Sequence, residues 1–318
     1  MTKAKVAIII INWNSFDYTN DCLLSLGEID GDMAEVILVD NCSTDDSLPR
    51  LKEAFPDLHY VENDDNLGFS EGNNSGIDYA LAQGFEYLLL LNNDTFVAPD
   101  FLSEMMKMLE SDPSIGAIQP KIYYNHDRNL IWSAGGKFSS TFTLPWSRGN
   151  NKQDRGNYNE VMEIDWITGC AFLVRSKIIK EVGGLSNLFF YGCFDDVEWS
   201  FRIKESGYRL MYCPTSVVYH AVAASSSGEK GAEGVLKPFF HYMVNRNHII
   251  LLRLHTKPIF KFTSYLYQLI KCGGSVGYFL LRNRPKKLKA ALHGFYDGLI
   301  KPLDPNALRH KHYIQRYR

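Results

Sequence analysis

Four short polar clusters, each following or leading out of a β-type run, hold the side chains of this sequence best suited to chemistry. They read Asn12-Trp13-Asn14-Ser15, Asp40-Asn41-Cys42-Ser43-Thr44-Asp45-Asp46, Asn66-Leu67-Gly68-Phe69 and Asn92-Asn93-Asp94-Thr95. Asp40 follows Val36-Ile37-Leu38-Val39, where a carboxylate can accept hydrogen bonds from a base imide or a ribose hydroxyl. The same residue also serves as a plain turn former. Asn92-Asn93-Asp94 offers one ionised carboxylate and two amide oxygens, the hard ligands a divalent cation takes when it bridges a diphosphate. Asp94 would be its anchor, with an Asx turn as the competing role. Asn73, Asn74 and Gly76, at a helix start, either meet a ligand or cap that helix.

A second group lies far along the chain. The segment from Phe189 to Arg202 contains Asp195, Asp196 and Glu198 at what should be a helix N-terminus. On a helix Asp195, Glu198 and Arg202 share one face, and Asp196 lies about 100° around from Asp195. The helix end favours an ionised carboxylate, so Asp196 is suited to take a proton from an incoming hydroxyl; capping with an internal ion pair is the structural alternative. His220 closes an apolar strand. If that strand end meets the other clusters, its imidazole completes a metal shell that otherwise has one carboxylate.

Parallel strands are the elements that bring such clusters together. Val6–Ile11, Glu35–Val39, His59–Glu62 and Tyr87–Leu91 read as strands, and Tyr18–Leu26, Asp46–Phe55 and Asn73–Gly84 as the helices between them. Three βα units in a row predict a Rossmann-like, mostly parallel α/β sheet flanked by helices, with ligands outside the carboxyl ends of the strands. From about Ile115 the pattern turns to irregular β segments, with a polar stretch at Gly149–Asn159 that reads as a mobile loop. A strand over Asp165–Val174, a helix over Ser176–Val182 and a strand ending at His220 follow. Ser225-Ser226-Ser227-Gly228 reads as a linker. The expected organisation is therefore a domain over residues 1–235, divided into a nucleotide-binding half (1–114) and an acceptor and catalytic half (115–235), then a basic, mainly helical extension over 236–318.

Bulk properties narrow the classes further. With 318 residues, 45% of them hydrophobic, the chain can bury a large core. Its six cysteines show no CxxC pair and no disulfide or zinc spacing, which fits a reducing compartment. The apolar run after the N-terminus is too short for a signal-peptide core or a spanning helix, so a cytoplasmic location is expected. Residues 1–235 hold 34 Asp and Glu against 18 Lys and Arg, whereas residues 236–318 hold 2 against 16. Aromatic residues among the cations of the tail suit an anionic membrane interface, although a solvated basic face would read the same way. The tail carries no nucleic-acid-binding motif and the crevice domain is acidic, which argues against nucleic acid as a partner.

In order and spacing these clusters, with Asn73-Asn74-Ser75-Gly76, Thr168-Gly169-Cys170, Phe190-Tyr191, Asp195-Asp196-Val197-Glu198 and Tyr219-His220, resemble the family 2 glycosyltransferases of GT-A fold, particularly their bacterial rhamnosyltransferase-like branch. The resemblance runs from about residue 5 to 255. It implies an inverting transfer of a sugar, rhamnose being the first candidate, from a dTDP- or UDP-sugar to a glycan or lipid-linked glycan acceptor in cell-surface polysaccharide synthesis. Under it Asn12, Trp13, Asn14, Asp40, Asn66, Gly68, Asn73, Asn74 and Asn93 would bind the donor. Asp94 and His220 would hold Mg2+ or Mn2+, and Asp196, with Asp195 beside it, would supply the base. Here the metal motif reads Asn-Asn-Asp, the acidic pair is Asp-Asp, and Trp13 replaces a common tyrosine. A nucleotidyltransferase is the alternative enzyme class, but its glycine-rich basic loop is missing after the first strand. A catalytically silent nucleotide-sugar or glycan-binding subunit is the non-enzymatic alternative.

Overall fold

The computed structural model describes residues 5–189, 192–222 and 236–304. The chain divides into two compact units, one of residues 1–137, 146–186 and 196–224, the other of residues 138–145, 187–195 and 225–318. In the first unit β1 (Val6–Asn12), α1 (Phe16–Leu26), β2 (Ala34–Asp40), α2 (Ser47–Ala54), β3 (His59–Glu62), α3 (Gly68–Gln83) and β4 (Tyr87–Leu91) alternate. There follow β5 (Thr95–Val97), α4 (Phe101–Ser111), β6 (Ile115–Tyr124), β7 (Asp127–Ser133), the hairpin of β8 (Gly136–Ser139) and β9 (Leu144–Ser147), whose residues 138–145 belong to the second unit, β10 (Lys152–Gln153) and β11 (Met162–Glu163). The series ends with β12 (Ala171–Arg175), α5 (Ser176–Val182), α6 (Asp195–Glu205) and β13 (Arg209–His220).

Strands β3, β2, β1 and β4 lie side by side and parallel, in that order. Beyond β4 the sheet becomes mixed: β12 runs antiparallel to both β4 and β6, and β13 runs parallel to β6. Because side chains alternate along a strand, β1 supplies both faces. Val6, Ile8 and Ile10 pack with Leu23 and Leu26 of α1 and with Phe101 and Met105 of α4. Ala7 and Ile9 pack on the other face with Ile77 of α3 and Trp199 of α6. A sheet covered on both sides explains the near-continuous apolar runs of β1, β2 and β4. Gly76 sets the approach of α3: a Cβ there would lie 2.5 Å from Ile9 Cγ2 and 2.9 Å from Val39 Cγ2.

The boundaries differ from the sequence expectations where tertiary contacts decide them. Helix α3 starts at Gly68, not Asn73, because Gly68 adopts φ +76° and turns the chain into the helix five residues earlier. Of the expected Asp165–Val174 strand only the part from Ala171 onward joins the sheet, within β12, which runs one residue further to Arg175. The preceding segment is a loop pinned by a bridge between Gly136 and Trp166 and by the Gln119 and Ser200 side chains, which accept from Thr168 and Ile167 N–H. The stretch 149–159 is tied down: β10 pairs with β7, and Asp154 accepts from Lys121 Nζ at 3.0 Å and Tyr123 Oη at 2.6 Å. Phe190-Tyr191 and the Ser225–Gly228 linker lie outside the described residues.

The second unit is built on α7 (Pro238–His255), α8 (Lys261–Leu281) and α9 (Pro285–Ile300). Helix α9 presents Ala290, Ala291, Gly294 and Gly298 inward. A Cβ on Gly294 would sit 2.2 Å from Tyr242 O of α7, so only a residue without a side chain allows that approach. Buried polar groups on α7 are used to tie loops: Asn247 Nδ2 donates to Gly192 O and Cys193 O, and Arg246 donates to Leu188 O.

Candidate active site

The carboxyl ends of β1, β2 and β4 are joined by one buried hydrogen-bond network. Asn12 is its hub. Its Nδ2 donates to Asp40 Oδ1, Ser43 Oγ and Ser47 Oγ at 3.0–3.1 Å, and its Oδ1 accepts from Thr19 Oγ1 at 2.9 Å. Asn93 Nδ2 donates to the same Thr19 hydroxyl at 2.8 Å. Asp40 also accepts from Ser43 Oγ at 2.6 Å and Ser43 N at 2.9 Å, so its carboxylate is held rigidly at the strand tip. Asn14, at φ +50°, accepts from Thr44 N and Asp45 N and thereby clasps the β2 loop to the β1 loop. Trp13 is 40% exposed beside it. Thr19 and Ser47 are members of this network that the motif reading passed over, and Ser43 was given no role of its own, because their role depends on contacts with Asn12 from 7 to 35 residues away.

The third strand end is organised by Asn41 and Asn66. Asn66 Oδ1 accepts from Gly68 N at 2.9 Å, and Asn41 donates to Gly68 O at 3.0 Å. Within α3, Asn73 is buried and donates back to Phe69 O at 3.0 Å. Asn74 grips the Leu185 backbone at both ends of its amide, donating to Leu185 O at 2.8 Å and accepting from Leu185 N at 2.9 Å. These contacts give Asn12, Asn73 and Asn74 positioning work within the protein; Asp40 is buried at the tip of β2, whereas Trp13 is partly exposed.

Strand pairing brings Asp94 and His220 together across 126 positions of sequence. His220 lies opposite Thr95 where β13 pairs with β5, and its Nε2 is 3.0 Å from Asp94 Oδ1. The Trp132 indole meets the imidazole edge-on, with ring centroids 4.6 Å apart, and the buried Nδ1 has no hydrogen-bond partner. Burial by itself would lower the imidazolium pKa, but Cys170 and Asp94 outweigh it and hold the pKa raised to about 10. Burial keeps the Cys170 thiol above its usual range.

Asp196 also lies near Cys170. Its Oδ2 accepts from Gly169 N at 2.9 Å and its Oδ1 from Val197 N at 2.8 Å. Burial pushes its pKa above the ordinary carboxylate range, against the lowering effect of those N–H groups. The helix end therefore does not by itself fix the ionised form, as the sequence pattern implied; desolvation makes Asp196 a stronger base than a free aspartate. Gly169 packs between the Phe69 ring and Asp196, where a Cβ would be 3.2 Å from the ring. Cys170 is within electrostatic reach of Asp94, His220 and Asp196. Asp195 is buried in the first turn of α6, while Glu198 pairs with Arg202 at 2.9 Å and that guanidinium donates to carbonyls of Val182 and Gly184. The Glu198–Arg202 face is thus structural.

A carboxylate–imidazole pair, a separate carboxylate in the first turn of a helix and an anchored aspartate therefore occupy one edge of the sheet. The model of the family described as glycosyl transferase family 2 matches residues 7–183, more than half of the chain. The chain belongs to glycosyl transferase family 2. Curated relatives of this family 2 member include the low-salt glycan biosynthesis hexosyltransferase Agl10 of Haloferax volcanii, 25% identical over 68% of this chain and 66% of the relative. The chain thus spans a little under two thirds of that relative's length. An N-acetylglucosaminyl-diphospho-decaprenol L-rhamnosyltransferase of Mycobacterium tuberculosis is 22% identical over 69% of this chain and 76% of its own. Among solved structures, S. aureus TarS 1–349 in complex with UDP-GlcNAc superposes with a TM-score of 0.60 at 17% identity, covering 96% of this chain and 83% of that one. The mannosyltransferase PcManGT from Pyrobaculum calidifontis, in complex with GDP-Man and Mn2+, gives 0.54 at 18% identity over 99% and 83%. These likenesses establish the GT-A fold, a mostly parallel sheet flanked by helices.

Proposed function

We propose that this family 2 member is a metal-dependent, inverting glycosyltransferase that moves a sugar from a nucleoside-diphosphate donor to a glycan or lipid-linked glycan in polysaccharide synthesis. The observation that carries this reading is that Asp196, bonded to Gly169 N, and the Asp94–His220 pair both lie near Cys170, where β12 begins beside the carboxyl end of β4. The relatives support the donor and acceptor classes: a diphospho-decaprenol rhamnosyltransferase and structures bound to UDP-GlcNAc or GDP-Man. Rhamnose from a dTDP-sugar is the first donor to test and UDP-hexoses the next.

The Asp94–His220 pair fits a divalent cation. Two neighbouring ligands of a six-coordinate ion, each about 2.1 Å from it, stand roughly 3 Å apart, and Asp94 Oδ1 and His220 Nε2 are separated by 3.0 Å. Among the described residues no group of three or more His, Cys, Asp and Glu is arranged for a metal, so donor phosphate oxygens and water would complete the shell. Bound there, Mg2+ or Mn2+ would offset the charge of the departing diphosphate. Asp40, fixed by Asn12 and Ser43, would hold the nucleoside at the adjoining strand tip. Asp196 would take the acceptor hydroxyl proton on Oδ1 or Oδ2 as that oxygen attacks the anomeric carbon and the carbon–oxygen bond to the diphosphate breaks. A single displacement of this kind inverts the anomeric centre.

The direct test is a panel of nucleotide sugars with Mg2+ or Mn2+, read by thermal shift and nucleoside-diphosphate release for the natural protein and Asp94→Ala. A metal-dependent shift and release with one donor, both lost in Asp94→Ala, would identify the sugar. No response to any donor would favour a silent binding subunit. The cationic region beyond residue 236 would face an anionic membrane surface that carries the acceptor.

A further inference from the structure

Helix α8 is turned inside out relative to a water-facing amphipathic helix. Its inward side carries Ser264, Gln268, Lys271 and Cys272, and the polar ones are used: Ser264 Oγ is 2.9 Å from Thr143 Oγ1, Gln268 Nε2 is 2.9 Å from His248 Nδ1, and Lys271 Nζ is 3.1 Å from the same nitrogen. Its outward side carries Phe262, Leu266, Leu269, Ile270, Leu280 and Leu281, all exposed, with Phe262 at 77% and Leu281 at 88%. At 100° per residue these six fall within an arc of roughly 120°, together with Gly273 and Gly277 and without a charged residue. The stripe runs about 28 Å along the helix. Helix α9 repeats the arrangement, packing small residues inward and leaving Leu292, Tyr296, Leu299 and Ile300 exposed.

The surroundings of this apolar surface choose its occupant. Residues 257–304 contain nine Lys and Arg against two Asp. Exposed Lys257, Lys261 and Arg282 lie at the two ends of α8, and Lys289 is exposed on α9. A second copy docked through the same face would set like charges against each other, whereas a layer of anionic headgroups over hydrocarbon complements both the cations and the apolar ridge. No helix among the described residues is long and apolar enough to cross a membrane, so the mode is insertion in the plane of the interface.

We infer that the outward faces of α8 and α9 form a membrane-docking surface, in which Phe262, Leu266, Leu269, Ile270, Leu280 and Leu281 enter the acyl boundary of an anionic phospholipid layer while Lys261, Arg282, Arg284 and Lys289 contact its phosphates. This rests on the membrane-surface part of the function proposed above and replaces general attraction of a basic tail by a defined apolar ridge. The test uses the full chain and phosphatidylcholine vesicles with and without one quarter phosphatidylglycerol. Flotation with the anionic vesicles is expected, weakened by salt and by Lys261→Glu/Lys289→Glu, and reduced at least about tenfold by Phe262→Glu/Leu269→Glu/Leu280→Glu. Tryptophan emission of Phe262→Trp should shift to the blue on vesicle addition, an independent readout that leaves the ridge apolar. Nucleoside-diphosphate release measured in the same samples should be unchanged by the glutamates, which separates failure of docking from failure of the transferase reading. Equal flotation of the triple variant, no blue shift, or a lipid-free dimer that the triple variant dissociates would overturn the proposal, the last in favour of self-association.

Discussion

Replacing Asp196 by Asn removes one proton acceptor and changes little else in shape. In the natural protein both carboxylate oxygens are engaged, Oδ2 by Gly169 N at 2.9 Å and Oδ1 by Val197 N at 2.8 Å. An amide has one oxygen, so it can satisfy one of these donors while its NH2 faces the other. Leaving a buried N–H unmatched costs about 1–3 kcal/mol. The amide, however, avoids the desolvation that raises the pKa of Asp196, and this offsets part of that cost at neutral pH. Stability should therefore change by less than about 3 kcal/mol, a few degrees in Tm. Catalysis has no such compensation, and loss of a positioned base should lower kcat by roughly 10²–10⁴. As the proposed base, Asp196 must be deprotonated to act, so kcat/KM of the natural enzyme should fall as pH drops through the raised pKa. That acidic limb should be missing from the residual activity of Asp196→Asn. The assay is initial-rate nucleoside-diphosphate release with donor affinity measured separately by calorimetry. Donor affinity lost in parallel with kcat, or kcat within threefold of the natural value (~0.7 kcal/mol), would refute the assignment.

Asp94→Ala should abolish the metal-dependent part of donor binding while leaving metal-free binding of the nucleoside unchanged, as calorimetry with and without a chelator would show. His220 should make metal affinity pH-dependent: the ion must displace the imidazolium proton, so Mn2+ affinity should rise with pH, up to about tenfold per unit, below a pKa of about 10. In His220→Gln, Mn2+ titrations should lose that slope. In the metal-free protein the raised His220 pKa contributes stability that is fully present below its unfolded value near 6.5 and is lost as pH rises to about 10, a decline in Tm that Asp94→Ala should flatten. Gly294→Ala should destabilise the helical unit by at least about 1–3 kcal/mol, because its Cβ would overlap Tyr242 O, and urea unfolding would measure it. Asn74→Ala should lower stability by about 1–3 kcal/mol through the ungripped Leu185 backbone without altering which donor is used.

The parallel half of the fold was legible because its signals are local. His59–Glu62 and Tyr87–Leu91 coincide with β3 and β4, and the left-handed Gly84 ends α3 as the sequence pattern indicates. The mixed half was less so. Strand β13 extends back to Arg209, beyond the Val217–His220 ending visible in the sequence, because it pairs along most of β6, a contact between distant segments that no local periodicity announces. For the same reason the Asp94–His220 pair was visible only as two polar ends of apolar runs; the antiparallel register of β5 with β13 supplies their proximity. The orientation of α8 defeats pattern reading in a different way, since its polar stripe and apolar stripe have the spacing of any amphipathic helix and only the buried Ser264 and Gln268 reveal which one faces inward.

The network around Asn12 accounts for why so many asparagines sit at these strand ends. A carboxylate at position 12 would accept from Thr19, Ser43 and Ser47 but would meet Asp40 as a like charge, whereas an amide donates to Asp40 and accepts from Thr19 at once. The Thr19 hydroxyl in turn receives Asn93, so the residue preceding Asp94 is fixed through two hydrogen bonds to the same side chain that fixes Asp40. Asp40 and the residue preceding Asp94, to which the proposed function gives the nucleoside and the diphosphate-bound metal, thereby belong to one hydrogen-bonded assembly. Asn92-Asn93-Asp94, with one acid, is suited to this arrangement: a second carboxylate at position 93 could accept from Thr19 but could not donate to it, and the hydroxyl would have two acceptors competing for a single proton.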